Sequence, residues 1–309
     1  MIAGIEVPVG GQTDPAHPAR ALAAWRMTEA PADAPTVIAI HGITSTSRSW
    51  LAVAAALGER VGLVAPDLRG RAASRALGPP FGLDAHAADV VALLDHLGLE
   101  RAVIAGHSLG AYVACRVATA HPDRVSRLVL VDGGLPLPAL DAAPDPHVAI
   151  TAALGPVVAR LGSEFPDRAA YRAWWAAHPA FTGSDIADEV RDAVADYELG
   201  GEPPRLRSSI RPEVVPADGV DLVGVGDAAR LAVEAVLLHA PRGLDGAEPP
   251  MLDPRLVEEW AVADPARRRA VFVPDANHYT ILMGAAGARL VAAEIAAAVD
   301  PLDSGPAIA

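Results

Sequence analysis

The sequence predicts an α/β fold: a mostly parallel twisted sheet flanked by helices, with one inserted helical stretch. Three observations carry that expectation. Short apolar runs alternate with helix-spaced stretches at both ends of the chain, as a parallel sheet covered on both faces requires. One run passes into a helix through Gly106-His107-Ser108-Leu109-Gly110, a Gly-X-Ser-X-Gly turn. The alternation is interrupted once, from about Leu135 to Arg230, and then resumes.

Taken in order, an N-terminal hairpin is followed by Thr36 to His41, a buried strand running into Gly42, and by a helix from Trp50 to Leu57. A strand from Val61 to Ala65 ends at Pro66-Asp67. Ala85 to Leu97 has helical apolar spacing and stops at Gly98, a helix-terminating glycine. The strand Arg101 to Ala105 and the helix Leu109 to Ala120 flank the serine turn, and His121-Pro122 ends that helix. A strand from Arg127 to Val131 closes on Asp132-Gly133-Gly134. The next hundred residues are rich in proline, acids and aromatics, with helical patches at Arg168 to Ala177 and Asp185 to Tyr197. Residues 1–134 and 231–309 are thus read as the core domain and 135–230 as a helical lid. The rhythm returns with a strand Val233 to His239, a helix around Pro254 to Ala263, a strand Ala270 to Val273 and a helix Ala286 to Val299. Leu302 to Ala309 is expected to fray.

Composition narrows the chemistry. At 309 residues the chain can bury a large core without staples. The single cysteine, Cys115, excludes an internal disulfide framework and multi-cysteine metal sites, and its mid-helix place suits a buried structural thiol. A net charge of −13 repels phosphate backbones and anionic membrane surfaces, so neither nucleic acid nor membrane is expected as a partner. All 25 basic residues are arginine, which removes Schiff-base chemistry, a P-loop lysine and Ser-Lys dyads. No run of about 18 apolar residues and no basic-then-apolar leader occurs, so a cytoplasmic protein is expected.

The serine turn makes a nucleophile. A serine on a sharp strand-to-helix turn needs glycine two residues before and after, since a Cβ at Gly106 or Gly110 would meet the crossing backbone. The turn lifts the Ser108 hydroxyl above the sheet, and the helix N-terminus beyond it favours a developing negative charge.

With His41-Gly42, Asp67-Leu68-Arg69-Gly70, the Gly106 to Gly110 elbow and Asn277-His278 placed in this order, the chain resembles the α/β-hydrolase fold superfamily over nearly all its length except the lid. A serine hydroxyl needs a base. His278, in a loop between the last strand and the last helix, is the candidate; His17, His86, His96, His121, His147 and His178 read as surface or helix residues, His107 as a local packing group and His239 as a strand-end residue. The resemblance offers two acids to orient the imidazole: Asp245, after the strand that follows the lid, is preferred, with Asp132, after the strand before it, as the alternative. It also implies an oxyanion hole from the backbone N–H groups of Ile43 and Leu109. Asp67 and Arg69 resemble a structural pair tying loops together. The stretch Gly70-Arg71-Ala72-Ala73-Ser74 departs from the family, which often has a further glycine there.

Trp174, Trp175 and Tyr279 are candidates for binding substrate, with Tyr171, Phe165, Phe181, Tyr197 and Met283 as further cavity or core residues; Thr44, Ser45 and Ser47 add hydroxyls near the mouth or cap the next helix. The expected activity is a lid-bearing serine hydrolase, cleaving an ester, lactone or thioester of a small, largely apolar molecule through an acyl-enzyme, without metal or organic cofactor. Carbon–carbon bond hydrolysis and peptide cleavage use the same triad, and a non-catalytic ligand-binding protein on this fold is the rival from another class. Aspartate-nucleophile reactions are disfavoured by serine at 108. A small-molecule substrate is the expected partner, and a homodimer stays open.

Overall fold

Strand polarity and side-chain parity account for the layers. The computed structural model describes residues 2–10 and 21–299; His17 and the stretch from Leu302 to Ala309 lie outside the described residues. Strands β1 (Ala3–Pro8) and β2 (Ala21–Arg26) pair antiparallel, as the hairpin reading expects. There follow β3 (Thr36–Ile40), α1 (Leu51–Leu57), β4 (Gly62–Pro66), α2 (Leu83–His96), β5 (Ala102–His107), α3 (Leu109–Ala120) and β6 (Val125–Val131). Between β6 and the next sheet strand lie α4 (Pro138–Asp141), α5 (Pro146–Ala159), α6 (Arg168–Ala176), α7 (Asp188–Glu198), the short antiparallel pair β7 (Leu199–Gly200) and β8 (Arg207–Ser208), and α8 (Val214–Val220). Then come β9 (Glu234–His239), α9 (Pro254–Ala263), β10 (Arg268–Phe272), α10 (Thr280–Met283) and α11 (Ala285–Val299).

The eight-stranded sheet runs β1-β2-β4-β3-β5-β6-β9-β10 and is parallel from β4 to β10. Successive strand side chains point to opposite faces, and both faces are apolar. Ile38, Ile104, Leu128 and Leu237 pack in one core with Val90 of α2, Val113 of α3 and Val257 of α9. Their neighbours Val37, Val103, Val129 and Leu238 pack in the other with Val53 of α1 and Ile295 of α11. The middles of these strands are therefore apolar at consecutive positions, where a half-exposed strand would alternate.

The expected strands and helices are present with boundary shifts of one to three residues. Four helices were not foreseen: α4, α5, α8 and α10. Each begins or sits in a stretch broken by proline or glycine, and α5 itself kinks at Gly155, which has φ 37°. Among the described residues no helix is long and apolar enough to cross a membrane.

The carboxyl ends of β3, β5, β6 and β10 meet at one rim, and two contacts fix them there. A Cβ on Gly110 would lie 2.1 Å from the Ile40 carbonyl oxygen, and one on Gly106 would lie 2.1 Å from the Gly110 oxygen, so the elbow is packed backbone on backbone. His41, fully buried at the exit of β3, accepts the Leu68 N–H through Nε2 at 3.0 Å and donates from Nδ1 to the Gly42 oxygen at 2.8 Å. It thereby ties the loop after β3 to the loop after β4.

Gly110→Ala should lower unfolding free energy by about 3 kcal/mol or more, because backbone cannot yield to a new Cβ. Gly162→Ala, where a Cβ meets nothing within 4 Å, should stay within about 0.5 kcal/mol of wild type; equal urea midpoints for the two variants would refute the packing argument. His41 carries a second expectation. Burial, helped by the nearby Arg71 charge, lowers its pKa from 6.5 to about 3, so it stays neutral when folded while the unfolded chain takes up a proton near 6.5. Unfolding binds that proton, and stability falls as pH drops from 6.5 toward 3. His41→Gln keeps an acceptor for Leu68 and should flatten the dependence of unfolding free energy on pH between about 6 and 4, by up to about 1.4 kcal/mol per pH unit. Identical slopes for variant and wild type would refute this.

Candidate active site

Ser108 sits between β5 and α3 with φ 54° and ψ −122°, a left-handed conformation that a side-chain-bearing residue holds only when its surroundings impose it. They do: its N–H donates to the Val131 oxygen at 3.0 Å, its oxygen accepts the Ala111 N–H at 2.9 Å, and a Cβ on Gly133 would lie 2.4 Å from that oxygen. Leu109 is the first residue of α3, so its N–H has no acceptor within the helix.

His278 follows β10 in a loop whose form is set by Asn277. That side chain accepts the N–H groups of Tyr279 and Thr280, each at 2.9 Å, and donates to the Ala180 oxygen at 2.8 Å. The His278 oxygen accepts from His107 Nε2 at 2.8 Å. Burial, with the His278 ring alongside, holds the His107 pKa well below its ordinary value, so His107 is a neutral donor that anchors the loop.

The imidazole of His278 lies 2.7 Å through Nδ1 from Oδ2 of Asp132, and both side chains are buried. Asp132 stands immediately after β6 at φ 46°; its N–H donates to the Leu238 oxygen at 2.8 Å and its Oδ1 accepts the Ala240 N–H at 3.2 Å. With the Nδ1 proton directed at this carboxylate, Nε2 is left as an acceptor. The preference for Asp245 is corrected here. Asp245 is exposed and its Oδ1 accepts the N–H of Ala247 two residues on, an Asx-type turn that leaves no carboxylate oxygen at the imidazole.

Ser108, Asp132, His278, Ile43 and Leu109 line one cavity of about 200 Å³. Tyr279 and Met283 line it, as do Thr44 and Ser45. Trp174 and Trp175 do not, which corrects that expectation. Trp175 is buried against Tyr171 and Phe181, and Trp174 packs on Tyr171 and on the edge of Trp175. The aromatic face of α6 is core. In their place the cavity takes Leu137, Leu140, Ile150, Leu154 and Leu222 from the stretch between β6 and β9. The only sequence signal for these was the four-residue spacing of Ile150 and Leu154, which puts both on one helix face.

The expected Asp67–Arg69 pair also resolves differently. Arg69 forms a bidentate pair with Asp89, at 2.6 and 2.8 Å, while Asp67 accepts the Ser47 N–H at 2.9 Å, the Trp25 indole at 3.1 Å and the Tyr197 hydroxyl at 2.5 Å. Both tie loops together, through other partners. Thr46 rather than Ser47 caps the short turn before α1. His86 and His178 are buried, the former with Nε2 3.0 Å from Asp218. Cys115 is buried, and burial pushes its thiol pKa up. Among the described residues no group of three or more His, Cys, Asp or Glu side chains is placed to hold a metal ion.

Comparison with known proteins agrees with this fold. The model of the α/β hydrolase fold family matches residues 35–173. Lipase LipV of Mycobacterium tuberculosis (strain ATCC 25618 / H37Rv) is 41% identical over 101 residues, 33% of this chain and 38% of that one. RutD of Caulobacter sp. (strain K31), named as a carbamate hydrolase, is 38% identical over 117 residues, 38% of this chain and 41% of that one. The chain spans less than half the length of these curated relatives. Among solved structures, E-2-(acetamidomethylene)succinate hydrolase superposes with a TM-score of 0.76 at 20% identity, over 97% of this chain and 100% of that one. Sheet order, the serine elbow and these matches together show that the chain has the α/β-hydrolase fold, with residues 35–173 matching that family's model.

Proposed function

We propose that the chain is a serine hydrolase that cleaves an ester, lactone or thioester whose acyl part is uncharged and largely apolar. The observation that carries this reading is the buried 2.7 Å contact between His278 and Asp132 in the cavity that Ser108 also lines. A carboxylate at Nδ1 fixes the tautomer that makes Nε2 a base and stabilises the imidazolium once it forms.

The steps follow from that arrangement. His278 Nε2 takes the Ser108 proton as the oxygen attacks the acyl carbon, and the negative charge on the carbonyl oxygen is met by the N–H groups of Ile43 and Leu109. Collapse expels the leaving group, which receives the proton from the imidazolium and leaves an acyl-serine. Water, deprotonated by the same imidazole, then releases the acid and restores the serine. In this reading 135–230 acts as the lid, supplying aliphatic wall above the nucleophile.

The wall argues for the substrate class. Apart from Asp132 and the two histidines, the described residues lining the cavity bear aliphatic, thioether, aromatic and hydroxyl side chains, with no arginine among them. A substrate carboxylate buried there would have no counter-charge, a costly arrangement. The solved neighbour is named as the hydrolase of a succinate derivative; this cavity suits a neutral acyl chain.

Two measurements test the proposal. Asp132→Asn should lower kcat by about 10³ to 10⁴ by disfavouring the required tautomer, while Asp245→Asn should stay within about twofold of wild type; the reverse ranking would show the wrong acid was chosen. Hydrolysis of 4-nitrophenyl hexanoate should exceed that of the 4-nitrophenyl monoester of succinate by about a hundredfold or more in kcat/KM. Equal rates would exclude the neutral acyl pocket.

A further inference from the structure

The loop after β3 presents three consecutive carbonyl groups, and each is held by a buried side chain. The Gly42 oxygen accepts from His41 Nδ1 at 2.8 Å, the Ile43 oxygen from Arg71 Nε at 3.0 Å, and the Thr44 oxygen from an Arg160 terminal nitrogen at 2.8 Å. Both guanidinium groups are fully excluded from solvent. Each has a carboxylate from the stretch between β6 and β9: Asp218 of α8 lies 2.5 Å from Arg71, and Glu198 of α7 lies 2.8 Å from Arg160. The remaining bonds are also made. Arg71 donates to the Arg69 oxygen at 2.9 Å, and Arg160 donates to the Val157 oxygen at 2.7 Å and the Tyr171 hydroxyl at 3.1 Å. Asp218 accepts from Gly82 N–H and His86, and Glu198 accepts from the Ser208 hydroxyl at 2.6 Å.

We infer that Arg71 and Arg160 are positioning residues for the oxyanion hole, and that the helices between β6 and β9 act on catalysis through them. The inference rests on the hydrolase reading above. A trans peptide points its N–H opposite to its C=O, so holding the Gly42 oxygen aims the Ile43 N–H, and holding the Ile43 and Thr44 oxygens prevents the next two peptides from rotating it away. Preorganised donors accelerate acyl transfer because they need no reorganisation as charge develops. Burying two cations merely to brace a surface loop would be a costly choice. Here each cation is neutralised by a carboxylate from a different part of the chain, so the loop keeps its form only while α7 and α8 are docked.

Removing an arginine alone would strand a buried carboxylate, so the test removes both charges of a pair. Arg71→Met/Asp218→Asn keeps the acceptor for Gly82 and His86, and Arg160→Met/Glu198→Gln keeps the acceptor for Ser208. For each folded pair variant, kcat on 4-nitrophenyl hexanoate should fall by about ten- to a hundredfold, less than the 10² to 10³ typical of deleting an oxyanion donor. KM should stay within about threefold, and phosphonylation of Ser108 by a fluorophosphonate, which passes through the same oxyanion geometry, should slow by the same factor as kcat. A folded pair variant with wild-type kcat and labelling rate, or one that changes KM alone, overturns the inference. If neither pair variant folds, Arg71→Lys and Arg160→Lys replace them. Lysine keeps the charge but cannot span carbonyl and carboxylate together, and wild-type kcat and labelling in both would overturn it equally. Wild-type protein that neither hydrolyses the ester nor labels at Ser108 would bring down the hydrolase reading itself, whereas labelling unaffected by the variants would bring down this inference alone.

Discussion

The bond between Asp132 and His278 joins residues 146 positions apart, and the sheet order is what makes it available. Asp132 leaves β6 and His278 follows β10, with only β9 between them. The Asp132 N–H and one carboxylate oxygen are bonded to backbone at the end of β9, at Leu238 and Ala240, so the remaining oxygen has one direction in which to point. Taking a carboxylate out of water is expensive unless each lone pair finds a donor. At this rim the donors are the Ala240 N–H and an imidazole, and the side chain that satisfies the second carboxylate oxygen is the one the proposed reaction would use as its base.

The same accounting explains the arginines. In a chain without lysine every long cation is a guanidinium, and a guanidinium offers a fork of donors that can hold a carbonyl and a carboxylate at once. Arg71 and Arg160 are used in that way. Replacing one partner of such a buried pair costs about 3 to 5 kcal/mol, whereas replacing both by apolar groups is often neutral. The pairs are therefore poor candidates for adding stability and good ones for fixing a single loop geometry. Their carboxylates, Asp218 and Glu198, belong to the acid-rich stretch after β6, so part of the excess of acids there answers buried arginines, Arg160 in the same stretch and Arg71 outside it.

How far the sequence could be read follows from which choices are local. The elbow was legible because Gly106 and Gly110 are demanded by backbone contacts within a few residues, and His278 because a strand and a helix bracket it. The acid was not. Asp132 and Asp245 both follow strands and both precede glycine; what separates them is that Asp132 is gripped directly at the strand end, while Asp245, six residues beyond His239, turns onto its own backbone at Ala247. The tryptophans misled for a related reason. A helix with an aromatic face declares that the face is buried, and only tertiary contacts say whether it meets a cavity or, like Trp175 on Phe181, another part of the core. Arg71 lies in a stretch that drew notice only for lacking a further glycine, with no hint that its partner lay 147 residues away.

The two ends of the stretch between β6 and β9 are held to the core by different forces, and this bears on which part could open to admit substrate. Arg160 bonds the loop after β3 directly, and Glu198 and Asp218 reach it through Arg160 and Arg71, so moving them would expose unpaired charge partners and release that loop together. α4 and the first turns of α5 contribute Leu137, Leu140, Ile150 and Leu154, which meet the cavity through apolar contact alone, and α5 bends at Gly155 just before the segment that carries Arg160. Apolar contacts are non-directional and can be exchanged for a substrate's own apolar surface at little net cost, whereas the arginine bonds cannot. In the proposed hydrolase, entry past α4 and α5 with α7 and α8 staying docked would leave the donor geometry intact while the cavity fills.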